Sequence, residues 1–220
     1  DKFLFTVKQR VINSTSNKYD FYSYGQIIRN EAPEITNFYI LHEGLVATLD
    51  DELIEEDYDD IEEKKFTRNA QKGWLGIGDK YWITSLIPPK GKEFKTTFDY
   101  KNKFRVNFVG TEPLELNSNS SIEDKMQIIV AAKRVDVIDG YAESLKIDKF
   151  DLTIDWGFLY FITKPLFFGI DYFFKLLGNY GLAIIAITIC IRLAFFPVAN
   201  FSFRSMAKMK ALTPEMTRLK

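Results

Sequence analysis

Of all the residues able to do chemistry, Arg192 has the least ordinary setting, because AITICIRLAFFPV, residues 186–198, is otherwise almost wholly apolar. A charge at the centre of a bilayer-crossing helix costs about 2.5 to 3.5 kcal/mol on insertion scales, so it normally faces protein or water and marks a working site. A plainer reading stands beside it. Val198 is six residues away, about 9 Å by helical rise, so the guanidinium can also snorkel partway to the headgroups.

The other candidates are weaker. His42 is the only histidine and has no Ser or Cys partner at a motif spacing, so a hydrogen-bonded or exposed histidine is the preferred reading. The single cysteine, Cys190, lies inside the apolar run and reads as a small helix residue, which gives no disulfide framework and no redox chemistry. DDELIEEDYDDIEE, residues 50–63, holds ten acids in fourteen positions. It lacks the Asp-x-Asp-x-Asp-Gly spacing and distal Glu of a calcium loop, so a solvated acidic edge or loop is preferred and no metal site is expected. GWLGIG, Gly73 to Gly78, has the glycines in the wrong order for a dinucleotide fingerprint, and turns or close backbone approach explain it better. No catalytic residue and no cofactor is expected.

The element that must position Arg192 is legible. YGLAIIAITICIRLAFFPV, nineteen residues from Tyr180, makes a helix of about 28 Å, near the hydrocarbon thickness of a bilayer. A transmembrane helix is predicted over 179–203. Residues 179–220 carry a net charge of +5 and the remainder −6. A basic flank after a span is retained in the cytoplasm, so residues 204–220 are placed there and the acidic domain on the outer side. The chain starts at Asp1 without an export signal and stops at Lys220 within a helical pattern, which reads as the middle piece of a longer protein.

Residues 1–150 are predicted to form an antiparallel β-sandwich domain. FLFTVKQRV alternates with period two, and short runs recur in FYSYGQIIR, NFYILHEGLVATL, KYWITSLIPP, FKTTFDYK, KFRVNFVG and KMQIIVAAKRVDVI, separated by Asn, Ser, Pro and Gly turns. Residues 151–178 form a linker and an amphipathic helix, in which Tyr160, Lys164, Asp171 and Lys175 fall on one stripe opposite a broad aromatic face. Lying in the outer membrane interface suits that pattern better than crossing. Beyond the span, Pro197 loosens the helix, Met206, Met209, Leu212, Met216 and Leu219 make an apolar face, and Thr213-Pro214-Glu215 reads as the N-cap and first turn of a new cytoplasmic helix.

NYGLAIIAITICIRLAFFPVANFSFRSMAKMKALTPEM, preceded by DLTIDWGFLYFITKPLFF, resembles the YidC/Oxa/Alb family of membrane insertases, and KGWLGIGDKYWITSLIPP (72–89) resembles that family's periplasmic domain. The resemblance implies a periplasmic β-supersandwich in the bacterial inner membrane protein, an interfacial helix and five core transmembrane helices. This chain would hold the first, with the start of a cytoplasmic helical hairpin. It implies that Arg192 lines a hydrophilic groove, with Thr188 one turn earlier, and that the groove receives polar or acidic parts of an incoming protein. Positions i and i+4 share a helix face, which agrees with that placement. The implied partners are nascent membrane proteins, the Sec translocon, the ribosome and membrane lipids, with no direct contact to nucleic acid. The implied activity is insertion and chaperoning, not enzymatic.

The rival class is a membrane-anchored carbohydrate-binding or scaffolding β-domain. It requires a cleft with paired carboxylates or stacked aromatics. Trp74, Tyr81 and Trp82 can supply rings, but core packing is their preferred use.

Overall fold

The computed structural model describes residues 3–33, 42–157 and 159–218, with the side chains at 208 and 210–218 outside the description. It divides into two compact units, residues 1–155 and 156–220.

The strands of the first unit pair antiparallel throughout. The described residues hold twelve strands in chain order: β1 Leu4–Ile12, β2 Tyr19–Phe21, β3 Tyr24–Arg29, β4 Gly44–Leu49, β5 Glu52–Glu56, β6 Phe66–Ala70, β7 Gly73–Gly78, β8 Trp82–Ile87, β9 Phe94–Tyr100, β10 Phe104–Gly110, β11 Leu114–Leu116 and β12 Ser121–Ala132. A six-stranded sheet has the order β1-β12-β8-β7-β4-β5, a four-stranded sheet the order β3-β10-β9-β6, and β11 pairs β2. The helix α1, Tyr58–Glu63, lies between β5 and β6, and α2, Val135–Leu145, follows β12.

The centre of the six-stranded sheet is buried on both faces. One face meets the four-stranded sheet through Leu45, Leu49, Leu75 and Leu86 against Phe94, Phe98, Phe104 and Phe108, with Tyr58 and Ile61 of α1 closing the edge. The other packs Val46, Trp74, Ile83, Ile129 and Ala131 against Ile138 and Tyr141 of α2 and Phe150 of the 3-10 turn at 150–153. That explains why every residue of GLVATL in β4 is buried: alternate side chains serve two different cores. Each fully buried large side chain contributes about 1.5 to 3 kcal/mol, so the paired cores dominate the fold's stability.

GWLGIG is a central strand, and its glycines permit close backbone approach. A Cβ on Gly76 would lie 2.3 Å from the Thr84 carbonyl oxygen, and Gly73, at φ +141°, would place one 1.9 Å from that of Thr48. The acidic run is ordered: it forms β5, an edge strand as its charge suggests, and then α1, whose Tyr58 and Ile61 turn inward.

KMQIIVAAKRVDVI departs from its reading as a strand run. β12 stops at Ala132, and α2 begins at Val135, so Val137 and Ile138 are helical. The Lys90 ammonium donates to the Leu145 and Lys146 carbonyl oxygens at 2.6 and 3.2 Å, satisfying the end of α2 with a cation. The core assignment of the aromatic trio is right only for Trp74, which packs edge-on to Phe150 at 5.3 Å. Tyr81 and Trp82 are exposed, because they stand at the turn into β8 beyond the reach of the second sheet. Phe3 and Phe5 alternate with Leu4 as expected of a strand but are exposed too. Residues 37–41 of the NFYILHEGLVATL run lie outside the described residues.

The second unit has two helices, α3 Tyr160–Leu177 and α4 Tyr180–Arg218. Gly178 ends α3 in the left-handed region at φ +67°, and its N–H donates to the Phe174 carbonyl oxygen at 2.8 Å. The Asn179 side-chain oxygen then accepts from the Leu182 N–H at 3.2 Å and caps α4. The turn is thus made by two residues whose types suit it.

No new helix starts at Thr213-Pro214. The backbone of α4 continues through Pro197 and Pro214 to Arg218. Each proline removes one hydrogen bond, and the Met, Lys, Ala, Leu and Glu residues around Pro214 are strong helix formers that carry the helix past it. The side chains of Leu212, Met216 and Leu219 lie outside the described residues.

Candidate functional site

Within α4, Tyr180–Ala207 is long and apolar enough to cross a membrane, the one such helix among the described residues. Its 28 residues make about 42 Å. Leu182, Ile185, Ile189, Leu193, Phe196 and Phe203 are exposed, and Ala183 is its only buried residue. An apolar surface so little covered by its own chain suits lipid rather than the interior of a soluble fold.

Thr188 and Arg192 stand one turn apart on this helix, both exposed. The Thr188 hydroxyl donates to the Ile184 carbonyl oxygen at 2.7 Å, the back-bond that lets a polar residue sit in an apolar helix. That bond uses the only hydroxyl proton, leaving the oxygen's lone pairs as acceptors. The helix therefore presents an acceptor and a permanent cation in one stripe of an otherwise apolar surface. Cys190 is exposed and free between them in sequence.

α3 is helical over the whole of the expected stripe of Tyr160, Lys164, Asp171 and Lys175. Lys175 pairs with Asp171 at 2.6 Å across one turn. The Lys164 ammonium lies 5.8 Å from the ring centre of Trp156 and 5.9 Å from that of Tyr160. The Thr163 hydroxyl reaches the Trp156 carbonyl oxygen at 2.7 Å and fixes the entry to the helix. α3 also doubles back along α4: a Cβ on Gly169 would lie 2.8 Å from Ile187 Cδ1.

A charged group at one end of the six-stranded sheet was not legible as a motif, since its members come from six segments. His42 Nδ1 lies 3.2 Å from an Asp57 carboxylate oxygen, and its backbone N–H donates to Asp155 at 3.2 Å. His42 Nε2 is buried without a partner among the described residues. Arg29 pairs with Asp79 beside them. Burial pushes the Lys133 ammonium below its ordinary range, against the upward pull of Asp79, Asp155, Glu43 and Glu55. Among the described residues no group of His, Cys, Asp and Glu has the arrangement of a metal site. A concavity of about 190 Å³ is lined by Lys72, Pro89, Lys90, Lys146 and Asp148 among others. It holds one carboxylate, and neither Tyr81 nor Trp82 reaches it, so it does not have the form that a sugar cleft requires.

A two-core antiparallel β-unit followed by a bilayer-crossing helix defines a membrane protein with a folded domain outside the bilayer. Residues 1–168 match the family model described as "YidC periplasmic domain" and residues 172–220 that described as "60Kd inner membrane protein". The chain belongs to the YidC family. It is 75% identical over 220 residues to the "Membrane protein insertase YidC" of Pelagibacter ubique, 40% over 226 residues to that of Rickettsia prowazekii and 39% over 235 residues to that of Methylorubrum extorquens. These alignments cover 100%, 99% and 100% of this chain but 39%, 40% and 38% of the relatives, so the chain spans about two fifths of their length.

Proposed function

We propose that this chain is part of a membrane protein insertase and chaperone, in which Arg192 and Thr188 line a hydrophilic groove that receives polar or acidic parts of a nascent membrane protein. The observation that carries this reading is the shared stripe of an exposed cation and a back-bonded hydroxyl on a bilayer-crossing helix. Relatives named as membrane protein insertases support it.

The physical step is electrostatic. Opposite unit charges 4 Å apart attract by about 1 kcal/mol in bulk water and about 4 kcal/mol at an effective dielectric of 20. A cation in a partly dry groove therefore offsets some of the cost of drawing an acidic segment partway across. The apolar segment beside it then moves into lipid down its own gradient, without a covalent step. The relatives' name, membrane protein insertase, supports this non-enzymatic reading.

In the proposed topology residues 1–150 form the periplasmic domain, 151–178 the linker and interfacial helix, 179–203 the span, and 204–220 the start of a cytoplasmic hairpin. The basic residues after the span favour that orientation. Lys164, Asp171 and Lys175 hold α3 at the outer headgroup level while its aromatic residues enter the acyl boundary. The Sec translocon and the ribosome are the proposed protein partners, beside membrane lipids.

The test is insertion of a small single-span protein in cells depleted of their own insertase and supplied with the full-length parent carrying Arg192→Ala or Arg192→Lys. Loss with Ala and retention with Lys is the expected result. Insertion by the Ala variant at the wild-type rate would show that Arg192 only snorkels or is dispensable.

A further inference from the structure

Five exposed apolar residues collect at one end of the six-stranded sheet, and strand register shows why they form a single patch. The Val130 N–H donates to the Phe3 carbonyl oxygen at 3.0 Å, which sets Phe3 beside Val130. Val130 stands opposite Thr84, and Ala132 opposite Trp82. Directly opposed residues project to the same side, as do residues two apart in a strand. Phe3, Phe5, Val130 and Trp82 therefore share the face that the four-stranded sheet covers farther along, and Tyr81 adjoins them from the β7–β8 turn. Phe5 is 55% exposed, Tyr81 65% and Trp82 56%. Tyr81 and Trp82 thus leave two large rings side by side in water at one turn.

We propose that this patch is a lipid-contacting surface, with Tyr81 and Trp82 seated among the headgroups of the membrane that α4 crosses. Continuity of the chain selects lipid as the occupant. The patch ends at the same sheet end as His42, whose N–H is held by Asp155, the last residue of the β-unit. Gly44, two residues past His42, pairs with Gly78 at the start of the turn that carries Tyr81. The chain thus leaves the β-unit beside the patch, and the bilayer-crossing helix begins 25 residues later at Tyr180. A short tether of that kind holds the patch at high effective concentration near the membrane surface.

Composition agrees with the place. Trp and Tyr are the side chains enriched at membrane interfaces, where an apolar ring and a polar edge are both accommodated. The Lys80 ammonium lies 5.3 Å from the centre of the Tyr81 ring, a cation carried with the aromatic pair toward the headgroup layer. The carboxylates nearby outnumber the cations, so charge at this end does not itself draw anionic lipid. Asp79 pairs with Arg29, Asp57 with His42, and Lys133 lies among Glu43, Glu55 and Asp155. Contact is therefore made by the rings, and zwitterionic lipid suffices for it. The inference needs α4 in a bilayer but does not depend on the groove reading of Arg192.

The experiment places a nitroxide label at Trp82→Cys, at Tyr81→Cys or at Glu123→Cys, near the opposite end of β12, in a Cys190→Ser chain reconstituted into phosphatidylcholine nanodiscs. Oxygen, which partitions into the bilayer, and a water-soluble nickel chelate serve as relaxation agents. The expected result is an oxygen-to-nickel accessibility ratio several-fold higher at 82 and at 81 than at 123. Two results overturn the proposal: labels at 81 and 82 as open to nickel as the one at 123, which means water, or labels shielded from both agents, which means that protein covers the patch. Agreement between two separate sites guards against one variant failing to fold.

Discussion

Gly169 of α3 and Ile187 of α4 meet where a side chain on the first would collide with the second: an added Cβ would stand 2.8 Å from Ile187 Cδ1. Each residue is nine positions from Gly178, so the two helices run side by side for about 13 Å from their turn. Small residues that let helix backbones approach are a common way to hold helices together where hydrophobic burial gives little help. The Phe174 and Tyr180 rings, stacked at 4.0 Å across the turn, close the same hairpin at its tip.

Replacing Gly169 by Phe should open the hairpin, while Ala should be tolerated because the atom it meets is the far end of a flexible side chain. The measurement is the distance between nitroxide labels at Phe161→Cys and Leu193→Cys in a Cys190→Ser chain in nanodiscs. A longer mean distance with Gly169→Phe and an unchanged one with Gly169→Ala are expected. An unchanged distance in both would show that the turn alone sets the helix pair.

Tyr58 makes a sharp prediction for alkaline pH. Burial pushes its hydroxyl up to about 12, with the nearby Arg29 partly opposing. The folded value lies above the unfolded value near 10, so the folded state keeps a proton that the unfolded chain loses between them. Stability associated with Tyr58 is complete below pH 10 and falls by about 2 to 3 kcal/mol as pH rises to 12. Tyr58→Phe removes that fall. Urea unfolding followed by tryptophan fluorescence, at pH 9 and pH 11.5, should show the variant gaining on wild type only at the higher pH. Parallel decline of the two proteins would mean that the phenol titrates freely in the folded state.

Much of this architecture is legible in the residues, and the failures have definite causes. Strands such as FKTTFDYK and KFRVNFVG announce themselves because alternation and turn residues are local signals. The helix α2 is hidden because VAAKRVDVI is short and apolar at both periods, so only the burial of Ile138 and Tyr141 against β12 and β8 decides it. Strand order is hidden for a different reason: β1 pairs β12 more than a hundred residues away, and no local pattern records that. Arg192 was legible because a charge is conspicuous in an apolar helix. Lys133, His42 and Asp155 were not, since ordinary residues become a cluster only when the sheet brings them together. Exposure of Tyr81 and Trp82 was equally invisible, because KYWITSLI reads as one apolar strand whichever residues the second sheet covers.

Two glycines in the same β-unit should respond oppositely to the same added methyl. A Cβ on Gly76 would lie 2.3 Å from the Thr84 carbonyl oxygen and 3.0 Å from Ser85 Cα, both backbone atoms that cannot step aside without separating β7 from β8. Those strands lie at the centre of a sheet packed on both faces, so Gly76→Ala should cost about 1 to 3 kcal/mol or more through overpacking. Gly140 lies within α2, and its added methyl would meet nothing within 4 Å. Its replacement by Ala should stabilise by about 0.5 to 1 kcal/mol, since alanine restricts the unfolded chain and favours the helix. Thermal unfolding of the two variants, followed by the fluorescence of the fully buried Trp74 core, should shift the midpoint down for Gly76→Ala and up by about 1 to 4 °C for Gly140→Ala. A neutral Gly76→Ala would show that β7 and β8 can part without loss, and that the close approach of their backbones is not what holds the centre of the sheet.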